Sequence, residues 1–129
     1  MAAKDIAIGI MTQNEYRSRT LAIAKGEHVP GKDEPRIWFE SLQSMAQVLS
    51  QDNQDLLRVI LEKKPASLKE LEHETGRKSS NLSRTLKMMA RFGIVELSKE
   101  KKNIRPIVKA TSFHLKIDLL DRVRHELGR

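Results

Sequence analysis

Apolar positions recur along this chain with two periods, and the switches between them mark the elements. Ile6 to Met11 is a continuous apolar run, which predicts a strand over 5–11 buried on at least one face. Thr12-Gln13-Asn14-Glu15 has the form of a capping box and starts a helix through about Lys25, with Tyr16, Leu21, Ala22 and Ala24 as candidate buried positions. Glycine, proline and charge over 26–35 predict a loop. Arg36 to Glu40 predicts a short strand pairing with residues 5–11. Leu42, Met45, Ala46 and Leu49 have helical spacing. Ser50-Gln51-Asp52 is a capped restart leading into Leu56, Leu57, Val59, Ile60 and Leu61. Pro65 disfavours helical geometry at Lys64 and ends that helix.

The strongest pattern lies over residues 67–109. Ser67-Leu68-Lys69-Glu70 is a second capping box, followed by a short helix with Leu68 and Leu71 as apolar contacts and Gly76 as its stop. Arg77-Lys78 make a turn, and Ser79 or Ser80 caps another helix that runs to about Phe92 and ends at Gly93. Ile94 to Ser98 and Ile104 to Lys109 are β-prone runs around the polar tip 99–103, which predicts a hairpin. Helix, glycine turn, helix, hairpin is the order of a winged helix-turn-helix. After it, Phe113-His114-Leu115-Lys116-Ile117 alternates like a one-sided strand, and Leu119 to Leu127 predicts a short amphipathic helix. The predicted fold is α+β, mainly α: an N-terminal strand-helix-strand extension over 1–40, a winged helix-turn-helix over 41–111, and a C-terminal strand and short helix over 112–129.

At about 100° per residue, Leu82, Leu86 and Met89 share one narrow side of the second helix, with Phe92 following at the same spacing. Ser80, Arg84, Lys87 and Arg91 fall opposite, with Asn81 and Ser83 on the flanks. That surface suits a duplex: Arg pairs with guanine and Asn with adenine in the major groove, while hydroxyls and free N–H groups at a helix start suit phosphate. A solvated helix face also carries Lys and Arg, but it usually mixes signs, and no acidic residue lies between Arg77 and Phe92. At the hairpin, Lys101, Lys102, Asn103 and Arg105 fit an adjacent minor groove.

Charge sharpens this reading. Residues 1–61 carry seven Lys/Arg against eight Asp/Glu, whereas residues 76–109 carry ten against two, so the surplus behind the net charge of +7 sits in the second helix and hairpin. Concentrating it there costs self-repulsion unless a polyanion is the partner. Other chemistry is absent. The chain lacks cysteine, and His28, His73, His114 and His125 have no metal-ligand spacing. Neither a phosphate-binding glycine loop nor a catalytic constellation is legible, so no enzyme activity, metal or cofactor is expected. Residues 6–11 are too short an apolar run to span a bilayer, and a cytoplasmic protein is expected. Trp38 and Phe39 gather apolar area that joins the N-terminal segment to the core or stacks on a ligand.

Asp55-Leu56-Leu57-Arg58, Leu68-Lys69-Glu70-Leu71-Glu72, Gly76-Arg77, Leu82 to Lys87 and Phe92 to Leu97 resemble the winged-helix transcriptional regulators of prokaryotes, broadly MarR- and ArsR-like. Over most of its length, Trp38 to Ser41 included, the chain resembles a small group of predicted regulators, some of them encoded beside small toxins. The resemblance implies a repressor that binds double-stranded DNA, or an antitoxin that also controls its own operon, with a small toxin as second partner. Long dimerisation helices and metal-sensing cysteines are missing, so neither a phenolic-ligand pocket nor metal sensing carries over. The expected DNA-binding residues are Arg77, Lys78, Ser79, Ser80, Asn81, Ser83, Arg84, Lys87, Arg91, Lys101, Lys102, Asn103 and Arg105. A homodimer is expected, joined through the N-terminal strand, Trp38-Phe39 and the terminal helix. The rival from another class is a winged helix that binds a protein partner.

Overall fold

Hydroxyl side chains start four of the five helices in the computed structural model, which describes residues 4–32 and 34–120. Thr12, Ser41, Ser50 and Ser67 each accept the N–H three residues on, opening α1 (Gln13–Ala24), α2 (Leu42–Val48), α3 (Gln51–Lys63) and α4 (Leu68–Thr75). Such a bond satisfies one of the orphan donors of a helix start. The box at Ser67 is not reciprocal in the expected way, because Glu70 Oε2 accepts from the Ala66 N–H at 2.6 Å. The fifth helix, α5 (Ser79–Phe92), has Lys78 as its N-cap with no side-chain hydrogen bond, so neither Ser79 nor Ser80 caps it. Gly76 and Gly93 close α4 and α5 with φ of 73° and 86°, a conformation in which glycine meets no Cβ penalty. Lys64 turns left-handed before buried Pro65 and ends α3.

Two sheets complete the fold. The first holds β1 (Asp5–Ile10), β2 (Ile37–Phe39) and β5 (Ser112–Lys116) in the order β2-β1-β5, all parallel. The short strand at Ile37 does pair with β1, matching Ile8 to Ile37 and Ile10 to Phe39. The second is an antiparallel hairpin of β3 (Val95–Glu100) and β4 (Asn103–Val108), whose two-residue turn is Lys101-Lys102. The strands thus run further into the charged tip than expected, and Asn103 pairs with Glu100 as a strand residue.

One cluster of buried side chains joins these parts. Ile6, Ile8, Ile37 and Phe39 of the parallel sheet meet Leu56, Leu57 and Ile60 of α3, Leu71 of α4 and Leu82, Leu86 and Met89 of α5. Phe39 stacks on Phe92 with ring centroids 4.5 Å apart, tying the sheet to the end of α5. Roughly half of the described residues are helical, so the protein is a small α+β fold.

Three apolar expectations differ from the structure. Helix α1 buries none of its residues: Tyr16 and Leu21 are 48% and 54% exposed, and Ala24 faces water. It is held by polar groups instead. Arg19 lies over the Trp38 ring at 5.1 Å and donates to Glu34 at 2.7 Å, and His28 reaches the same carboxylate. In β5 only Phe113 is half-buried, because among the described residues no element covers the sheet edge where Leu115 lies. In α2 the buried residue is Val48, with Leu42 and Ala46 facing solvent. The helix expected over 119–127 falls, past Leu120, outside the described residues. Among those described, no helix is long and apolar enough to cross a membrane.

Candidate nucleic-acid interface

Helix α5 owes its orientation to one side. Leu82, Leu86 and Met89 are buried to 1% exposure or less, and burying three such side chains contributes several kcal/mol to holding that side inward. Rotation is therefore fixed, and Ser80, Arg84, Lys87 and Arg91 are presented to solvent. Asn81 is exposed and Ser83 half-buried. Among the described residues, the side chains of Lys78, Arg84, Lys87 and Arg91 make no ion pair or hydrogen bond. The α5 N-terminus, with Lys78, Ser79 and Ser80 exposed around it, lacks the hydroxyl cap of the other four helices.

Hairpin electrostatics leave a similar remainder. Its two carboxylates are occupied internally, Glu96 by Lys109 at 3.3 Å and Glu100 by Arg105 at 3.2 Å. Among the described residues, Lys99, Lys101 and Lys102 are exposed cations that make no ion pair. Arg105 differs from its expected role, since it is half-buried and bound to Glu100 within the hairpin. Lys101 occupies the left-handed region at φ 55°, which a two-residue turn imposes on it.

Arg77 also departs from its expected place. Its guanidinium is half-buried, donating from Nε to Asn81 Oδ1 at 2.8 Å, from Nη2 to Thr85 Oγ1 at 3.3 Å and from Nη1 to Asn53 Oδ1 at 3.4 Å. Its N–H donates to Thr75 Oγ1 at 3.2 Å. Arg77 is thus a clasp joining the α4–α5 turn, α5 and the start of α3. Asn53 and Thr85 are its partners, which sequence reasoning missed; only a spatial neighbour relation identifies them. Since Asn81 Oδ1 already accepts from Arg77, its amide offers a second molecule chiefly the Nδ2 donors.

One flank of the cationic surface is mixed in sign. A groove of about 860 Å³ between α3 and the start of α5 brings Asp52, Asp55 and Glu74 near Lys78, Asn81 and Arg84. Asp55 is partly neutralised by Arg58 at 3.5 Å and accepts from Gln51. A polyanion is thus disfavoured on the α3 side and favoured along Arg84, Lys87 and the hairpin.

Of the three parts expected to join a dimer, the N-terminal strand and Trp38-Phe39 are engaged within the chain itself, and the terminal helix lies, past Leu120, outside the described residues. Strand β1 has neighbours on both edges, and Phe39 is 1% exposed beneath Phe92. Among the described residues β2 and β5 are the edge strands of this sheet, and Leu115 in β5 and Ile117 just past it are 39% and 48% exposed.

A family model described as HVO_A0114 matches residues 48–115, a span running from the end of α2 through α3, α4, α5 and the hairpin to β5. No curated protein and no solved structure matches the chain.

Proposed function

This chain belongs to the HVO_A0114 family, and we propose that it is a sequence-specific, double-stranded DNA-binding regulator of transcription. In this reading it is a cytoplasmic repressor and a homodimer, with α4, α5 and the β3–β4 hairpin acting as a winged helix-turn-helix. The observation that carries it is the exposed row Arg84, Lys87 and Arg91 on α5, which no carboxylate neutralises among the described residues. Arg84 with Ser80 and Lys87 reads or flanks base edges in the major groove. Lys78, Ser79 and Arg91 anchor phosphates, assisted by N–H groups at the uncapped start of α5. Lys101 and Lys102 serve the adjacent groove, while Arg77 and Arg105 position the elements that bind.

If about 4 to 6 of these cations neutralise phosphates, log affinity falls against log salt with a slope of roughly −4 to −5. Binding to genomic fragments selected for affinity, titrated across salt, measures it; a flat dependence rejects the proposal. A dimer joined at the open edge of β5 would set two recognition helices one DNA turn apart on a palindrome. Sedimentation at micromolar concentration tests that part, and a monomer removes it.

A second reading, a protein-binding module such as an antitoxin facing a small toxin, draws on the apolar series Leu115, Ile117, Leu119 and Leu120, with the last two 69% and 71% exposed. An equimolar protein co-purifying from the native host, without nucleic acid, favours it.

A further inference from the structure

The groove between α1 and the C-terminal end of α5 gathers charge of which only Arg91 also belongs to the proposed DNA-facing side. It encloses about 820 Å³, and its walls bring together Arg17 of α1, Arg36 just ahead of β2, and Arg91 in the last turn of α5. All three are exposed, and among the described residues their side chains have no ion pair or hydrogen bond. Among the described residues Glu40 is the single carboxylate in the lining. Three arginines lining one concavity carry like charges, whose mutual repulsion water screens only in part. Nothing in the packing requires this, since solvent-facing positions admit neutral side chains at little cost.

The remaining lining supplies flat apolar surface. Tyr16 is 48% exposed and offers its ring, whereas Trp38, half-buried with Arg19 over its ring at 5.1 Å and Gly9 against its Cζ3 edge, lines the groove with what remains. Arginine and aromatic faces both stack on planar rings, while guanidinium forks grip carboxylate or phosphate. We propose that this groove binds a small organic anion in which a planar ring carries two or more negative charges, the class to which nucleotides belong. The volume suits that size, since ligand sites run from about 300 to 1,000 Å³. A second consequence rests on the DNA reading above: Arg91 belongs to both surfaces, so ligand that engages it withdraws a phosphate anchor. Ligand and duplex then weaken each other's binding by the same factor.

Trp38 is the sole tryptophan, so its emission reports the groove directly. Full-length protein is titrated with ATP, and with adenosine and inorganic triphosphate as the ring alone and the charge alone. Saturable quenching by ATP, tighter than by either control, is the expected result. Arg17→Ala and Arg36→Ala should each weaken it roughly 5- to 20-fold, while Arg58→Ala, a charge lost from α3 instead, leaves it unchanged. Absence of saturable quenching overturns the proposal, as does an equal loss with Arg58→Ala. Triphosphate binding as tightly as ATP overturns the ring requirement. If Arg17→Ala and Arg36→Ala weaken duplex binding while ATP never quenches, the groove belongs to the DNA footprint and the proposal falls. ATP binding by a protein that binds no duplex rejects the regulator reading but leaves this one standing.

Discussion

Arg77 Nε donates to Asn81 Oδ1 at 2.8 Å, so the arginine of the α4–α5 turn holds the side chain of a residue suited by type to read bases. Arg77→Ala should cost about 1–2 kcal/mol of stability, because three acceptors lose their donor at a partly buried site. Arg77→Lys should rescue little, since an ammonium cannot serve Asn81, Thr85 and Asn53 with the geometry of a fork. Urea unfolding measures both. A variant as stable as the parent, but with a shallower salt slope for DNA, would assign Arg77 to a phosphate instead.

Neighbours on α5 should separate stability from binding. Leu86 is 1% exposed, and Leu86→Ala should destabilise by about 2–5 kcal/mol through the lost contacts and the cavity. Lys87 is exposed and, among the described residues, makes no ion pair, so Lys87→Ala should stay within about 0.5 kcal/mol of the parent and weaken duplex binding. Comparable unfolding midpoints for the two variants would contradict an α5 that turns Leu86 inward and Lys87 outward.

At the hairpin turn, Lys101→Gly should move the two properties in opposite directions. Relieving a left-handed lysine should gain up to about 1 kcal/mol. Loss of an exposed cation should weaken binding to all sequences alike, whereas Arg84→Ala should relax base preference. Equal effects of the two variants on matched and scrambled sites would remove that division of roles.

Gly9 sits under Trp38. A Cβ built there meets Trp38 Cζ3 at 2.3 Å and Pro35 Cγ at 2.8 Å. Gly9→Ala should therefore cost about 1–3 kcal/mol by overpacking and shift the tryptophan emission. An unchanged spectrum and midpoint would show that the ring moves aside freely.

Acid should release α1 from its anchor. Burial raises the Glu34 carboxyl, but hydrogen bonds and charge from Arg19 and His28 outweigh it and leave the group below its ordinary value of 4.5. Its contribution to stability is thus complete above that value and is lost as pH falls through the lowered native one. Glu34→Gln should lose less stability than the parent on acidification below about 4.5. Parallel acid unfolding curves for the two proteins would exclude the effect.

Legibility in the sequence followed the range of the interactions. Caps and stops act within a few residues, so Ser50, Ser67, Gly76, Gly93 and Pro65 marked their boundaries correctly. The α5 core side was readable because its period was clean. Apolar residues in α1 misled because their spacing does not converge on one face, and the helix is fastened by Arg19, Glu34 and Trp38. Arg77 and Arg105 looked like free cations because Asn53 and Thr85 approach the first only in space, and the hairpin register alone brings Glu100 to the second. Arg17, Arg36 and Arg91 share a groove for which the sequence carries no signal.

Strand β1 lies between β2 and β5, and the partner of Asp5 in β5 is Ser112, 107 positions later. During synthesis, then, the middle strand of the parallel sheet must wait for its second neighbour until Ser112 to Lys116 have left the ribosome, while α3, α4, α5 and the hairpin contain mostly nearby contacts and can settle first. A nascent chain interrupted after Ala110 would carry a bare strand edge beside Ile6 and Ile8, the kind of surface that recruits other unfinished chains.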